Sequence, residues 1–516
     1  MMDPDTTAFL ASALLFFLLY EIIQHFTRRR RQGPYPPGPK PWPMIGNWFD
    51  IPFYRPCETY LEWGKHYNSD ILHTEVFGQH TVIINSREIA DELLEKRTRN
   101  TSGRIYFPIT QLLDWGYNIA LMVYGDEWRR HRKACQQHLN REAAKSYQPI
   151  QIKKTHEALL ALLQSPEKFA AHNRMHSLGI TMDMMYGYQL KSLDDPVISA
   201  AKKAIELGNQ VWSQTGSLIN TFPILGRVPT WVPGAMSQKI TKESARWTAV
   251  MKSIPWEDTK RRMAEGNITP SLLTQFLERK ATVGASEEEE EILKNVAYTV
   301  YGAASDTTES ATGTFFYAMA KNPNVQKKAQ AEIDRVVGTN RLPDFTDRSS
   351  LPYIEAIYRE VMRSAPPLPL GLMHTLAEDD VCEGYFLPAG TQVFPNIWAI
   401  THDPNTYKDP HAFQPERFFN EDGTLNDDDR ILAFGYGRRV CVGKYVASST
   451  MWITIVSILA CFDIGKAKDE RGNDIEVDDE YVEHGLICHK KPFKCSITPR
   501  SNLSRKLIEE AAGECK

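Results

Sequence analysis

The sequence predicts a mainly α-helical protein with small β-sheets, carried behind a single N-terminal membrane-anchor helix. Three observations lead there. An apolar run near the N-terminus is followed at once by four arginines. Helical spacing then dominates the chain to about Leu277 and culminates in one long helix candidate, Ser286 to Lys321. The strand-like pieces, such as Thr81 to Ile84 and Thr391 to Phe394, are short. The bulk numbers agree: 516 residues, 42% hydrophobic, 24% charged and a net charge of −4 describe an ordinary globular body and exclude a nucleic-acid binder. Eight cysteines without a C-x-x-C pair make neither a disulfide framework nor a structural zinc site, and point to a reducing compartment. His484, Cys488, His489 and Cys495 cluster near the end with a spacing that fits no zinc pattern.

Taken in order, Ala8 to Tyr20 is almost unbroken apolar sequence, extended by Ile22 and Ile23, and Arg28 to Arg31 follow. The run is short enough for a cleaved signal peptide. The charge follows it rather than preceding it, however, and no small-residue cleavage site is evident. The expectation is an uncleaved anchor over residues 1–27 with the body in the cytosol, because positive charge holds its own side there. Residues 28–40, basic and then Pro34-Tyr35-Pro36-Pro37-Gly38-Pro39, form a stiff, extended hinge. Residues 41–516 show no repeat or internal boundary and read as a single domain. The sequons at Asn100, Asn267 and Asn502 would then stay unglycosylated.

Within that body, Tyr54 to His66 and Ser86 to Arg97 have helical spacing, and Trp128 to His138 is a basic helix. The proline-broken apolar loop Phe222 to Pro233 is either a core connection or a membrane-dipping surface. Ser286 with Glu289 makes a capping box, and Glu287 to Glu291 put carboxylates at the positive end of the helix dipole. Asn322-Pro323 ends that helix. Asn426 to Asp429 is a surface loop.

Chemistry concentrates in two places. Phe434-Gly435-Tyr436-Gly437-Arg438-Arg439-Val440-Cys441-Val442-Gly443 sets one cysteine in a Gly- and Arg-rich turn just ahead of an apolar helix. Glycines let a flat partner come close, and the helix start with its arginines favours negative charge on sulfur. Cys441 is therefore a candidate thiolate metal ligand, against the bland reading of a buried structural cysteine. The second place is the middle of the long helix. Ser305, Asp306, Thr307, Thr308, Ser310, Thr312 and Thr314 disfavour a helix interior. Their crowding suggests a distorted turn with free hydroxyls.

The filled pattern F-x-x-G-x-R-x-C-x-G resembles the haem-binding signature of the cytochrome P-450 family, the haem-thiolate monooxygenases. The resemblance runs from anchor and hinge through W-x-x-x-R, Asp306-Thr307, E-x-x-R and Pro415-Glu416-Arg417-Phe418 to the cysteine motif, in family order, and so covers essentially the whole chain. The details resemble fungal microsomal members of natural-product metabolism. The resemblance implies the cytochrome P-450 fold, haem b ligated by Cys441, O2 as co-substrate, and NADPH electrons through a reductase, with cytochrome b5 as a second candidate donor. Phe434, Gly437 and Gly443 would shape the haem-binding loop. Arg439, Trp128, Arg132 and His374 would hold the haem propionates, and Ala303 would lie over the iron. Asp306 and Thr307 match the family's acid–alcohol pair, which relays protons to oxygen. Ala304 stands where the pattern usually has glycine; its methyl would narrow the oxygen groove or lessen the helix distortion, with Gly302 near enough to compensate.

Glu360, Arg363 and Arg417 would form the family's buried structural triad. Family position puts the substrate pocket at Ile105, Phe107, Leu113, Leu370, Leu372 and Leu486, and helical spacing adds Thr299, one turn from Ala303. That pocket is greasy and has no charged partner for an amine, so the first expectation is a terpenoid; aromatic or indolic compounds and fatty acids remain open. A reductase would dock on Arg129, Arg130, Lys133, Arg438 and Lys444. The implied location is the endoplasmic reticulum membrane, single-pass, with membrane lipid as a partner and the catalytic domain cytosolic. An isomerase or dehydratase that needs no redox partner, or a non-catalytic haem sensor, would use the same fold. The intact Asp306-Thr307 pair argues against both.

Overall fold

The computed structural model describes residues 33–212, 217–220, 222–484 and 486–514. The expected anchor over 1–27 and the arginines of the hinge lie outside the described residues. Helices dominate, as expected. The chain begins with helix Pro56–Tyr67, whose apolar stripe buries Cys57, Tyr60 and Gly64. A four-stranded sheet follows in the spatial order Ile71–Val76, Gln79–Ile84, Gln392–Pro395, His374–Thr375; the middle pair is parallel and the outer pairs are antiparallel. The first strand escaped the sequence reading. It is buried on both faces at Ile71, Leu72, His73 and Thr74, so no period-two alternation marks it.

The central helix, Glu287–Lys321, positions everything else. Ser286 caps it by accepting from the Glu289 N–H at 3.1 Å. Only half of the expected capping box forms, because the Glu289 carboxylate bonds Arg279 of the preceding helix, Leu272–Val283. One half of the central helix, Leu293 to Tyr301, packs with Met182, Met185, Tyr186 and Cys135 in one apolar cluster. The other half, Ala311 to Ala320, packs with Ile354, Ile357, Trp452 and Val456 in a second. Residues 302–310 belong to neither cluster. The helix therefore has a stretch, held at both ends, whose side chains are not taken up in apolar packing.

Lys444–Cys461 is the one helix among the described residues long and apolar enough to cross a membrane, but 72% of it is buried, which makes it a core helix. The apolar loop after Phe222 becomes a 3₁₀ turn, Pro223–Arg227, with Phe222, Ile224 and Trp231 exposed. It is not a core connection. Near the C-terminus the hairpin Tyr481–His484/Ile487–Lys490 lies against the central helix, and Asn502–Glu514 forms a last helix that the sequence reading did not foresee.

Candidate active site

The cysteine loop bridges the same two clusters as the central helix. Phe434 packs on one and Val442 on the other. The loop is built from its glycines and backbone bonds. Cys441 N–H donates to the Phe434 carbonyl at 2.8 Å, and Gly437 N–H donates to Glu95 at 2.9 Å. Glu95 sits in a π-helical turn, Asp91–Lys96, where the helix begun at Arg87–Ala90 widens; it also binds Arg430 at 2.8 Å. Gly437 has φ +54°, and a Cβ there would lie 2.3 Å from the Leu94 carbonyl oxygen and 2.5 Å from Thr98 Oγ1. Gly437→Ala is therefore expected to displace the cysteine loop and cut haem incorporation sharply, measured as the haem-to-protein absorbance ratio of the purified protein.

Cys441 is free and its side chain is open. The surrounding protein is still deep enough for desolvation to push the thiol up, while the Gly443 N–H, Arg132 and Lys444 pull it back toward the thiolate.

Beside it lies a group of basic side chains, Arg104 and His374 buried and Arg132 and Arg439 half-buried. Arg132 Nη1 donates to Val440 O at 2.7 Å; Arg439 donates to Ser102 O at 2.8 Å and Met122 O at 2.9 Å and lies 4.4 Å from the Trp128 ring centre. Arg104, which the sequence reading missed, donates to Ala120 O and Met373 O. His374 contacts the Thr101 carbonyl through Nδ1 at 2.8 Å. Arg104 and His374 meet because strand His374–Thr375 pairs with Gly103, where a Cβ would lie 2.1 Å from Thr375 Oγ1. Burial and mutual repulsion act on all of them. Burial and Arg132 push Arg439 down to about 9, and burial, Arg104 and Arg439 keep His374 neutral. Arg132 Nε and Arg439 Nη1 are buried without a hydrogen-bond partner. None of the three arginines meets a carboxylate among the described residues. Such a group of guanidiniums attracts an anion strongly.

On the central helix the Ser305, Thr307, Ser310 and Thr312 hydroxyls are engaged, where the sequence suggests free ones. Ser305 and Thr307 bond back to Tyr301 O and Ala303 O, both at 2.8 Å, and Thr312 to Thr308 O at 2.7 Å. The helix runs unbroken because back-bonding satisfies these side chains without unwinding it. Asp306 forms an ion pair with His489 at 3.0 Å. Ala303 is exposed. Thr299, expected to face the substrate, is not among the residues that line the cavity described below. It is buried, accepts from Ile119 N–H at 3.2 Å and donates to Tyr117 O at 3.1 Å, which ties the 117–119 segment to the helix.

Of the expected pocket residues, Ile105, Phe107, Leu113 and Leu372 meet in one cluster with Trp212 and Met373. A cavity of about 190 Å³ lies there, lined by Ile105, Phe107, Trp115 and Trp212 with Arg104 at one side. Leu370 and Leu486 fall outside it. Leu370 packs with Tyr60, Leu72 and Ile83 under the sheet, and Leu486 is an exposed hairpin-turn residue. Glu360, Arg363 and Arg417 come together as expected, with Arg363 2.6 Å and Arg417 3.2 Å from the Glu360 carboxylate. Of the basic docking set, Lys133 and Arg438 are exposed and unpaired with acid among the described residues, whereas Arg129 pairs with Asp126 and Arg130 with Glu288.

Comparison with known proteins gives one answer. The family described as Cytochrome P450 matches residues 36–497. The chain is 37% identical to Cytochrome P450 monooxygenase 208 of Postia placenta, over 96% of each chain. It is 37% identical to Cytochrome P450 monooxygenase claR of Ampulloclitocybe clavipes, over 98% of this chain and 93% of that one. It is 36% identical to Cytochrome P450 monooxygenase ple1 of Rhodocybe pseudopiperita, over 93% and 92%.

Proposed function

The chain belongs to the cytochrome P450 monooxygenase family, and from that premise we propose that it hydroxylates a lipophilic terpenoid, with Cys441 as the residue whose sulfur would hold its haem. The family brings haem iron, dioxygen, a reductase and a small-molecule substrate with it. The single observation that carries the site assignment is the arginine group with unpartnered buried donors beside an open cysteine at a helix start. It fits haem, a flat group with two carboxylates and a metal seeking a soft ligand. Arg104, Arg132 and Arg439 would bind the carboxylates, with neutral His374 as a further donor and Trp128 as the floor under Arg439. When bound, haem supplies dioxygen activation and transfer of one oxygen atom to an unactivated C–H bond.

The rest is the work of the chain. Cys441 would hold the haem through its sulfur and lend it the electron density of a thiolate. Asp306 and Thr307 would hand protons to the reacting oxygen, Thr307 by turning its hydroxyl from the Ala303 carbonyl. The apolar cluster around Phe107 and Trp212 would exclude water and orient substrate. NADPH electrons would come through a reductase, with cytochrome b5 as a second donor, to the face bearing Lys133 and Arg438. The exposed Phe222, Ile224 and Trp231, near Trp42, Met44 and Phe49 in chemistry, support contact with lipid. They fit a protein anchored at the endoplasmic reticulum by residues 1–27, with 41–516 as its cytosolic catalytic domain.

Thr307→Ala is expected to keep haem while diverting NADPH electrons to peroxide; intact coupling would remove the proton-delivery role. The substrate class is tested by titrating the haem-loaded protein with terpenoids, flat aromatics and fatty acids while following iron spin state by absorbance. A low- to high-spin shift with terpenoids supports the proposal. A shift only with aromatics or fatty acids overturns the substrate class and leaves the chemistry standing.

A further inference from the structure

Asp306 has a partner from far along the chain. His489 Nε2 lies 3.0 Å from Asp306 Oδ1. The strand that carries it, Ile487–Lys490, is fixed to the central helix one turn beyond Asp306. There Ser310 Oγ donates to the Cys488 carbonyl at 2.5 Å, and Cys488 N–H donates to Pro367 O at 2.9 Å. These bonds fix the backbone beside His489 against the helix turn that follows Asp306. The charged groups facing this pair come from both packed helices. Glu309 is on the central helix, and Arg174, on helix Phe169–Tyr186, sits 3.8 Å from the Glu309 carboxylate. On the strand itself the neighbouring Lys490 is committed to Asp478 at 3.0 Å. Thus acid, imidazole, acid and guanidinium form one group beside Thr307, with the His489 side chain the most covered at 17% exposed and those of Asp306 and Arg174 43% and 40% exposed.

We propose that His489 is a positioning residue for proton delivery, holding the Asp306 carboxylate toward the Thr307 turn and returning to it the proton it gives up. The proposal rests on the reading of Asp306 and Thr307 as the proton-delivering pair. In the step, the Nε2–H bond of the His489 imidazolium breaks and an O–H bond forms on Asp306 Oδ1. The ion pair becomes a neutral pair. Solvent water at the Glu309–Arg174 end then reprotonates the imidazole. No electrons move.

The electrostatics suit a proton store. Burial opposes charge on His489, but the hydrogen bond and charge of Asp306, helped by Glu309, outweigh it and raise its pKa, while Arg174 works the other way. Burial raises the Glu309 carboxyl as well. With a raised folded-state pKa, the His489 contribution to stability is fully present below the ordinary histidine value of about 6.5 and is lost as pH rises through the folded value.

The test uses the haem-loaded full chain with isotope-labelled histidine in its diamagnetic ferrous–carbon monoxide form. His489→Gln, which keeps a hydrogen-bond donor but cannot titrate, identifies the His489 resonance by its loss. That resonance is expected to titrate above the ordinary range in the wild type and to fall in Asp306→Asn. A resonance titrating at or below the ordinary value overturns the proposal. Turnover with NADPH, reductase and the terpenoid that shifts the spin state gives the second readout. His489→Gln should raise peroxide per NADPH about tenfold, short of the ~100-fold cost of losing a positioned proton donor outright. The wild type is expected to lose coupling at high pH, and His489→Gln to abolish that pH dependence. Wild-type coupling across the pH range in His489→Gln, with Thr307→Ala uncoupled, overturns the His489 role alone. Coupling intact in Thr307→Ala overturns the underlying pair.

Discussion

Cys441→Ala is expected to abolish thiolate-type spectra and NADPH-dependent turnover together while leaving the fold in place. The Cys441 side chain is open, so its removal leaves no core cavity. The loop is held by bonds that alanine keeps, Cys441 N–H to Phe434 O and Gly437 N–H to Glu95. Stability should change by no more than ~0.5 kcal/mol, as for other open positions. The arginine group is untouched, so some haem should still bind, now without a sulfur ligand. Haem content, magnetic circular dichroism and turnover measure the three parts. A variant that retained thiolate-type spectra would move the ligand to another cysteine. Among the other described cysteines, Cys57, Cys135, Cys382 and Cys461 are buried, burial raises Cys495 to about 12, and the half-buried Cys488 is the one whose replacement would then be examined.

Glu360→Gln should have the largest effect on stability. Glu360 is fully buried and is the single acid for two buried guanidiniums, and it also accepts from Gln414 N–H at 2.8 Å. Arg363 carries the constraint onward to Thr401 O and Pro410 O, and Arg417 to Lys408 O, all within 2.8 to 2.9 Å. The amide keeps the shape but leaves two buried positive charges uncompensated. The expected cost is about 3–5 kcal/mol, read as a fall in urea midpoint with early loss of haem. Glu62→Gln is the control: its pair with Lys65 is exposed on both sides and worth well under ~1 kcal/mol. Equal midpoints for the two variants would show that the triad does not hold the segment before the cysteine loop.

Local signals in the sequence located most helices and the motif residues, because side-chain period, caps and Pro or Gly breaks act within a few residues of where they stand. The long helix, its Ser286 cap and its end at Asn322 followed from such signals. What failed was the choice of partner. Glu289 finds Arg279 rather than its own helix start, and Thr299 gives both hydrogen-bond roles to the 117–119 segment. Leu370 turns under the sheet, and His489 crosses the whole chain to reach Asp306. None of these pairings leaves a trace in local periodicity. Arg104 did leave a signal: an arginine with no acid between Glu95 and Asp114, next to the apolar Ile105 and Phe107. A buried cation without a neighbour of opposite charge needs an anion from elsewhere.

The most direct measurement is the absorbance difference spectrum of the reduced, carbon monoxide-bound wild-type protein, with haem stoichiometry determined on the same sample. A thiolate already on the metal gives the strongly red-shifted band for which the family is named, and that is the expected result. Full haem occupancy with a band at the position given by an imidazole ligand would contradict the assignment of Cys441 and the chemistry built on it.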